Sequence, residues 1–164
     1  MKRYIGIICL LLVLTLSICG CNSDNGVINN GGGDIQVNSS EVSEKNTIVG
    51  VPIILKSNPG FLIGNIVIDY DTDNFLFVEG ISSKMFTQCS VTEDAGRIMC
   101  MVQTAPTDLK DVTETGTVVT LNFKLKENAK KGTYPITVSS SSQFANSEEK
   151  WVTCEFEESK ITIN

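Results

Sequence analysis

The chain has 164 residues, of which 13 are basic and 19 acidic, and it contains no histidine; its formal net charge is −6. Without an imidazole, Ser-His-Asp and Cys-His nucleophile systems and His-ligated catalytic metals are excluded. The acidic balance leaves too few cations to displace phosphate counterions, which excludes a nucleic-acid partner.

Lys2 and Arg3 precede an uncharged apolar run from Tyr4 to Ile18. This is the charged start and apolar core of a signal peptide, and it is shorter than the ~20 apolar residues a spanning helix needs. The run ends in Leu16-Ser17-Ile18-Cys19-Gly20-Cys21, which resembles a bacterial lipobox, where a small residue precedes a cysteine that receives diacylglycerol. Gly20 selects Cys21 as that cysteine, because Cys19 would need Ile18 at the cleavage position. Residues 1–20 then form the leader, and the lipid on Cys21 supplies two buried chains, enough for stable anchoring. Residues 22–33 (NSDNGVINNGGG) are nearly all Asn, Gly, Ser and Asp. They cannot bury a core, so 21–33 is expected to be a lipidated, flexible tether, leaving 34–164 as one domain.

Within that domain apolar residues alternate with period two. Val49, Val51, Ile53 and Leu55 share one face, as do Ile66, Ile68 and Tyr70, then Phe75 and Phe77. From Gly116 to Lys126, Val119, Leu121, Phe123 and Leu125 point one way while Thr120, Asn122, Lys124 and Lys126 point the other. This predicts strands with one buried and one wet face. Tyr134, Ile136 and Val138 repeat the pattern, and Ile161 with Ile163 closes it. Turn signals at Asn58-Pro59-Gly60, Asp71-Thr72-Asp73-Asn74, Asp94-Ala95-Gly96 and Lys130-Lys131-Gly132 separate these runs. About nine short strands at such spacing predict an all-β jelly-roll sandwich.

Three cysteines lie beyond the anchor. A two-residue turn at Asp94-Ala95 would set Cys89 opposite Cys100 for a disulfide, whereas a three-residue turn with Gly96 in the left-handed region would separate them. Two buried thiols are the alternative. With no Cys-x-x-Cys pair and no histidine, no metal site is expected.

The acids, among them Glu41, Glu44, Asp108, Asp111, Glu114 and Glu148, sit at turns or outward strand positions, and no spacing selects a catalytic pair. No Gly-rich phosphate cradle appears, so neither an enzyme nor a cofactor is expected. Asp69-Tyr70-Asp71-Thr72-Asp73-Asn74 opens like a calcium loop. The sixth position is Asn74 instead of Gly, however, and Glu79 falls one place before the twelfth. A strand running into a polar turn is the simpler reading. Trp151, the sole tryptophan, is too little for a sugar-stacking platform and is expected to pack against a sheet edge with its N–H reaching water.

Several segments in order resemble a cohesin domain across 34–164. They are Ile35-Gln36-Val37, Asn46-Thr47-Ile48-Val49-Gly50-Val51-Pro52-Ile53, Gly60 to Asp71 with its closing Tyr70-Asp71, and Phe75-Leu76-Phe77-Val78. Gly116 to Lys126, Ala129 to Tyr134, Phe144-Ala145-Asn146 and Ile161-Thr162-Ile163 complete the set. Several carbohydrate-binding modules share parts of this pattern. The resemblance implies a jelly roll that binds a dockerin-type protein partner on one open face, built from its third, fifth, sixth and eighth strands. Carried onto this chain, it implies partner-contacting positions at Asn65 and Val67 on the third strand. On the sixth, Gly96 to Gln103, it implies Met99, Met101 and Gln103. Ile63 departs from the family by standing where a polar contact is common, and the loop between the sixth and seventh strands is short. The expectation is therefore a lipid-anchored, exported binding protein for a dockerin-bearing, polysaccharide-degrading enzyme. The alternatives are a polysaccharide-binding module of related fold and a structural adhesin.

Overall fold

The computed structural model describes residues 32–43, 47–107 and 109–164. Cys21 with its lipobox, most of the tether, Glu44, Asn46 and Asp108 lie outside the described residues. The period-two segments become twelve strands: β1 (Gly33–Val37), β2 (Ser40–Val42), β3 (Ile48–Ser57), β4 (Ile63–Tyr70), β5 (Phe75–Ser82), β6 (Gln88–Asp94), β7 (Arg97–Gln103), β8 (Gly116–Leu125), β9 (Gly132–Val138), β10 (Gln143–Ala145), β11 (Cys154–Glu157) and β12 (Ser159–Ile163). The strands beyond the expected nine are short pieces such as β2, β10 and β11, which alternation cannot reveal in three or four residues.

Two sheets stack face to face. One runs β11-β1-β3-β8-β5; the other runs β2-β12-β9-β4-β7-β6, with β10 also paired to β4. Between them the inward residues meet. Ile35, Val51, Ile53, Leu55, Val119, Leu121 and Phe123 come from the first sheet, and Ile66, Ile68, Ile98, Cys100, Val102, Ile136 and Ile161 from the second. Each large aliphatic buried this way contributes roughly 1.5–3 kcal/mol. Phe123 anchors an aromatic cluster, with ring centroids 5.0 Å from Tyr70 and 5.9 Å from Phe77.

Two close approaches need glycine. A Cβ on Gly33 would lie 2.7 Å from the Phe61 ring and 2.8 Å from Cys154 Sγ. Gly33 opens β1. A Cβ on Gly64 would lie 2.5 Å from Phe144 Cδ1. The missing side chain lets the Phe144 ring lie across β4 and against Phe61, centroid to centroid 4.8 Å, and so seats β10 beside β4.

The β6–β7 hairpin corrects the cysteine expectation. Its two-residue turn is Ala95-Gly96, both at positive φ (49° and 87°), the primed geometry that matches strand twist. Asp94 therefore pairs with Arg97, Cys89 with Val102 and Cys100 with Val91. The two thiols share the inner face but sit diagonally, and among the described residues both are free, as is Cys154. Burial pushes the Cys100 thiol up to about 12, and the neighbouring Cys89 adds to the shift.

The acidic run around Asp69 is a strand end followed by a closed turn. Asp69 Oδ1 accepts from Arg97 Nε at 2.9 Å. Asp71 Oδ1 accepts from both the backbone N and Nδ2 of Asn74, at 2.9 and 3.0 Å. Buried Asn74 in turn accepts from the Lys130 amide at 2.8 Å. The two carboxylates serve separate structural partners.

Candidate partner-binding face

Strands β9, β4, β7 and β6 are neighbours in one sheet, and their outward residues form a continuous surface. Because side chains alternate, facing partners in the ladder share a side, so the register lays the surface out in rows. Asn65 faces Met101, which faces Ser90; Val67 faces Met99, which faces Thr92; Asp69 faces Arg97, which faces Asp94. One step the other way, Ile63 faces Gln103, which faces Gln88, and the two glutamines are joined by a hydrogen bond from Gln103 Nε2 to Gln88 Oε1.

The five positions expected to contact a partner thus lie on one face, but they are not equally available. Met101 is 52% exposed and Met99 37%; Gln103 is half-buried. Val67 is only 5% exposed and lies outside the sandwich core, so it is not available to a partner as expected. The turn 139–142 lies against its strand: Ser142 Oγ accepts from the Val67 amide at 2.9 Å, and the Ser139 amide donates to the Val67 carbonyl at 2.7 Å. Opposite it stands Met99. Outward geometry was legible from alternation; coverage by a turn from another part of the chain was not. Asn65 is half-buried, and its Oδ1 is shielded from water without a hydrogen-bond partner among the described residues.

The face carries little charge. Its three rows from Ile63 to Val67 hold only Ile, Gln, Asn, Met, Ser, Val and Thr across β4, β7 and β6. Charge begins at the Asp69–Arg97 pair, which is itself exposed and therefore worth little in stability. Depletion of charge with enrichment in methionine is the composition of an interface centre, not of an ordinary wet surface. Among the described residues no cluster of three or more His, Cys, Asp or Glu side chains stands close enough to hold a metal ion.

A family model for the cohesin domain matches residues 33–163. The chain belongs to the cohesin family. Cohesin domains are non-catalytic protein–protein interaction modules, and the sandwich and its uncharged face fit that role. Solved cohesins share the fold at low identity. The sixth cohesin of Acetivibrio cellulolyticus scaffoldin B, solved in complex with a Cel5 dockerin mutant, is 15% identical. It superposes with a TM-score of 0.74 over 81% of this chain and 99% of its own. The OlpA cohesin of Clostridium thermocellum, solved as a type I cohesin–dockerin complex, is 19% identical, with a TM-score of 0.72 over 81% and 99%. A non-cellulosomal cohesin from the archaeon Archaeoglobus fulgidus is 10% identical, with a TM-score of 0.69 over 81% and 91%. No curated protein matches the chain.

Sequence reasoning left Trp151 off this cohesin face and had Ile63 there only as a departure from the family's polar contact. Trp151 was expected to pack on a sheet edge, yet it is 60% exposed. Its bridge to Ala145 and the pairing of Ala145 with Ile63 place it on the outer side of the same sheet. The apolar pair Trp151-Val152 was visible in the sequence. The partner strand was not, because β10 meets β4 only after the chain has crossed from β9 through the 139–142 turn.

Proposed function

We propose that this protein is an exported lipoprotein whose single cohesin domain captures a dockerin-bearing, polysaccharide-degrading enzyme at the cell exterior. The observation that carries the reading is the uncharged outward face of β4 and β7, with Met99, Met101, Asn65 and Gln103 side by side. Polarizable, unbranched methionines adapt to a partner's contour. That cohesins of this fold have been solved with dockerins bound supports the choice of partner class. The Gly20-Cys21 junction and the Asn/Gly-rich stretch after it support the anchor and the short tether.

Two experiments test the two halves. Met101→Glu places a charge at the centre of the face, where an unpaired buried charge is strongly unfavourable. It should abolish capture of dockerin-bearing proteins from the organism's own secretome, and unchanged capture would defeat the assignment of the face. Cys21→Ser should release the protein from the membrane fraction; retention there would defeat the lipid anchor.

A further inference from the structure

The pairing register extends the face beyond the strands that the cohesin resemblance implies. Trp151 bridges Ala145, Ala145 pairs with Ile63, Ile63 with Gln103, and Gln103 with Gln88. These five residues make one row across the sheet, adjacent to the row containing Gln143, Asn65 and Met101. Phe144 and Val152 point into the sandwich on either side of this crossing, which turns Ala145 and Trp151 outward.

Trp151 is held in place by its turn. Asn146 Oδ1 accepts from the Glu148 and Lys150 amides at 3.1 and 3.0 Å, and Glu149 takes a left-handed φ of 60°. Asp111 receives the Ser147 amide at 2.6 Å and its hydroxyl at 3.1 Å. Backbone bonds from Asn146 to Lys150 (3.1 Å) and from Val152 to Phe144 (3.0 Å) clamp the residues on both sides of the indole. An exposed tryptophan on a pinned turn is pre-organised: docking against it costs little further conformational entropy. Large aromatic side chains are also the residues that most often dominate interface energy. Among the described residues it is the only large aromatic left exposed, which does not suit a sugar platform.

We propose that Trp151 and Ile63 form the apolar anchor at the β10 end of the partner face, receiving an uncharged apolar stripe of the dockerin-type partner and setting which partner is accepted. This rests on the cohesin–dockerin reading above. The chemistry of the occupant follows from the surface: the Trp151 row and the Met101 row carry no charge, and beside Trp151 the Lys150 ammonium is already paired with Glu148 at 2.7 Å, so a charged contact stripe would find little to compensate its desolvation. Ile63, where a polar contact is common in the family, contributes to the same apolar corner.

The test uses the full domain labelled with 5-fluorotryptophan, which gives one fluorine signal because the chain holds one tryptophan. The probes are recombinant dockerin modules from the same organism. Binding is expected to shift that signal, and Trp151→Ala is expected to weaken affinity by at least about 10-fold. Ile48→Ala, an equally exposed apolar residue on the opposite sheet, should stay within about twofold. If the wild type binds and Met101→Glu does not, while the signal stays put and Trp151→Ala binds normally, the anchor is overturned and the face assignment stands. If no dockerin binds the wild type, both fall. A shift produced by soluble polysaccharide but not by dockerin would give Trp151 to a glycan and overturn the proposal. Should Trp151→Ala prove unstable, Trp151→Phe and the labelled wild type still decide the outcome.

Discussion

Replacing Gly64 with alanine would put a methyl group where the Phe144 ring already lies. The added Cβ would stand 2.5 and 2.7 Å from Phe144 Cδ1 and Cε1, and 3.3 Å from Val102 Cγ2. Carbon atoms pack at about 3.5–4.0 Å, so the ring must retreat by roughly 1 Å, and its 4.8 Å contact with Phe61 opposes that movement. Overpacking of this kind costs about 1–3 kcal/mol. The better strand propensity of alanine offsets about 0.5–1 kcal/mol of it, leaving a net loss of up to about 2.5 kcal/mol. Urea unfolding of Gly64→Ala, Phe144→Ala and the double variant would measure this as a cycle. Once the ring is gone only the propensity gain should remain, so the coupling equals the overpacking cost of about 1–3 kcal/mol. Additivity within about 0.5 kcal/mol would show that Phe144 is not what keeps residue 64 a glycine, and the account of how β10 is seated on β4 would fail.

Asp71→Ala removes the acceptor for both the amide and Nδ2 of buried Asn74, and should lower stability by about 1–3 kcal/mol in urea melts, with Asp71→Asn, which keeps a neutral acceptor oxygen, losing less; an Asp71→Ala variant as stable as the wild type would refute the role of this acceptor. The Cys100 thiol is held up to about 12 against an ordinary 9.0. The unfolded chain therefore ionises first, and stability that is full below about pH 9 should be lost as pH rises toward 12. By about pH 10.5 this group accounts for roughly 2 kcal/mol, so Cys100→Ala, though less stable at neutral pH, should show a visibly flatter alkaline decline, and an unchanged slope would contradict the burial account. Affinity electrophoresis on soluble glycans should show no retardation, because among the described residues Trp151 has no exposed aromatic companion; clear retardation would revive the carbohydrate-binding alternative.

Much of the sandwich was readable from the residues alone. Alternation depends only on neighbours in the chain, so the inward sets Val49 to Leu55, Ile66 to Tyr70 and Val119 to Leu125 were assignable before any pairing was known. The outward direction of Met99, Met101 and Gln103 came instead from matching Gly96 to Gln103 to the sixth strand of a cohesin. Register within one hairpin was harder. The turn moved from Asp94-Ala95 to Ala95-Gly96, because positive φ is needed at both central positions and glycine is best suited to one of them. That one-place shift was enough to separate Cys89 from Cys100.

What the sequence could not decide was which distant segments lie beside one another. Val67 is outward by parity yet buried, with residues 139–142 hydrogen-bonded to its backbone. Trp151 joins the outer face of the β4 sheet only because β10 pairs with β4 under a ring that needs Gly64 to be bare. Local periodicity reports on which side a residue faces, since that is a property of the backbone's own repeat. Whether that side is open, covered or continuous with a surface from elsewhere depends on contacts between segments far apart in the chain, and only the folded sandwich supplies those.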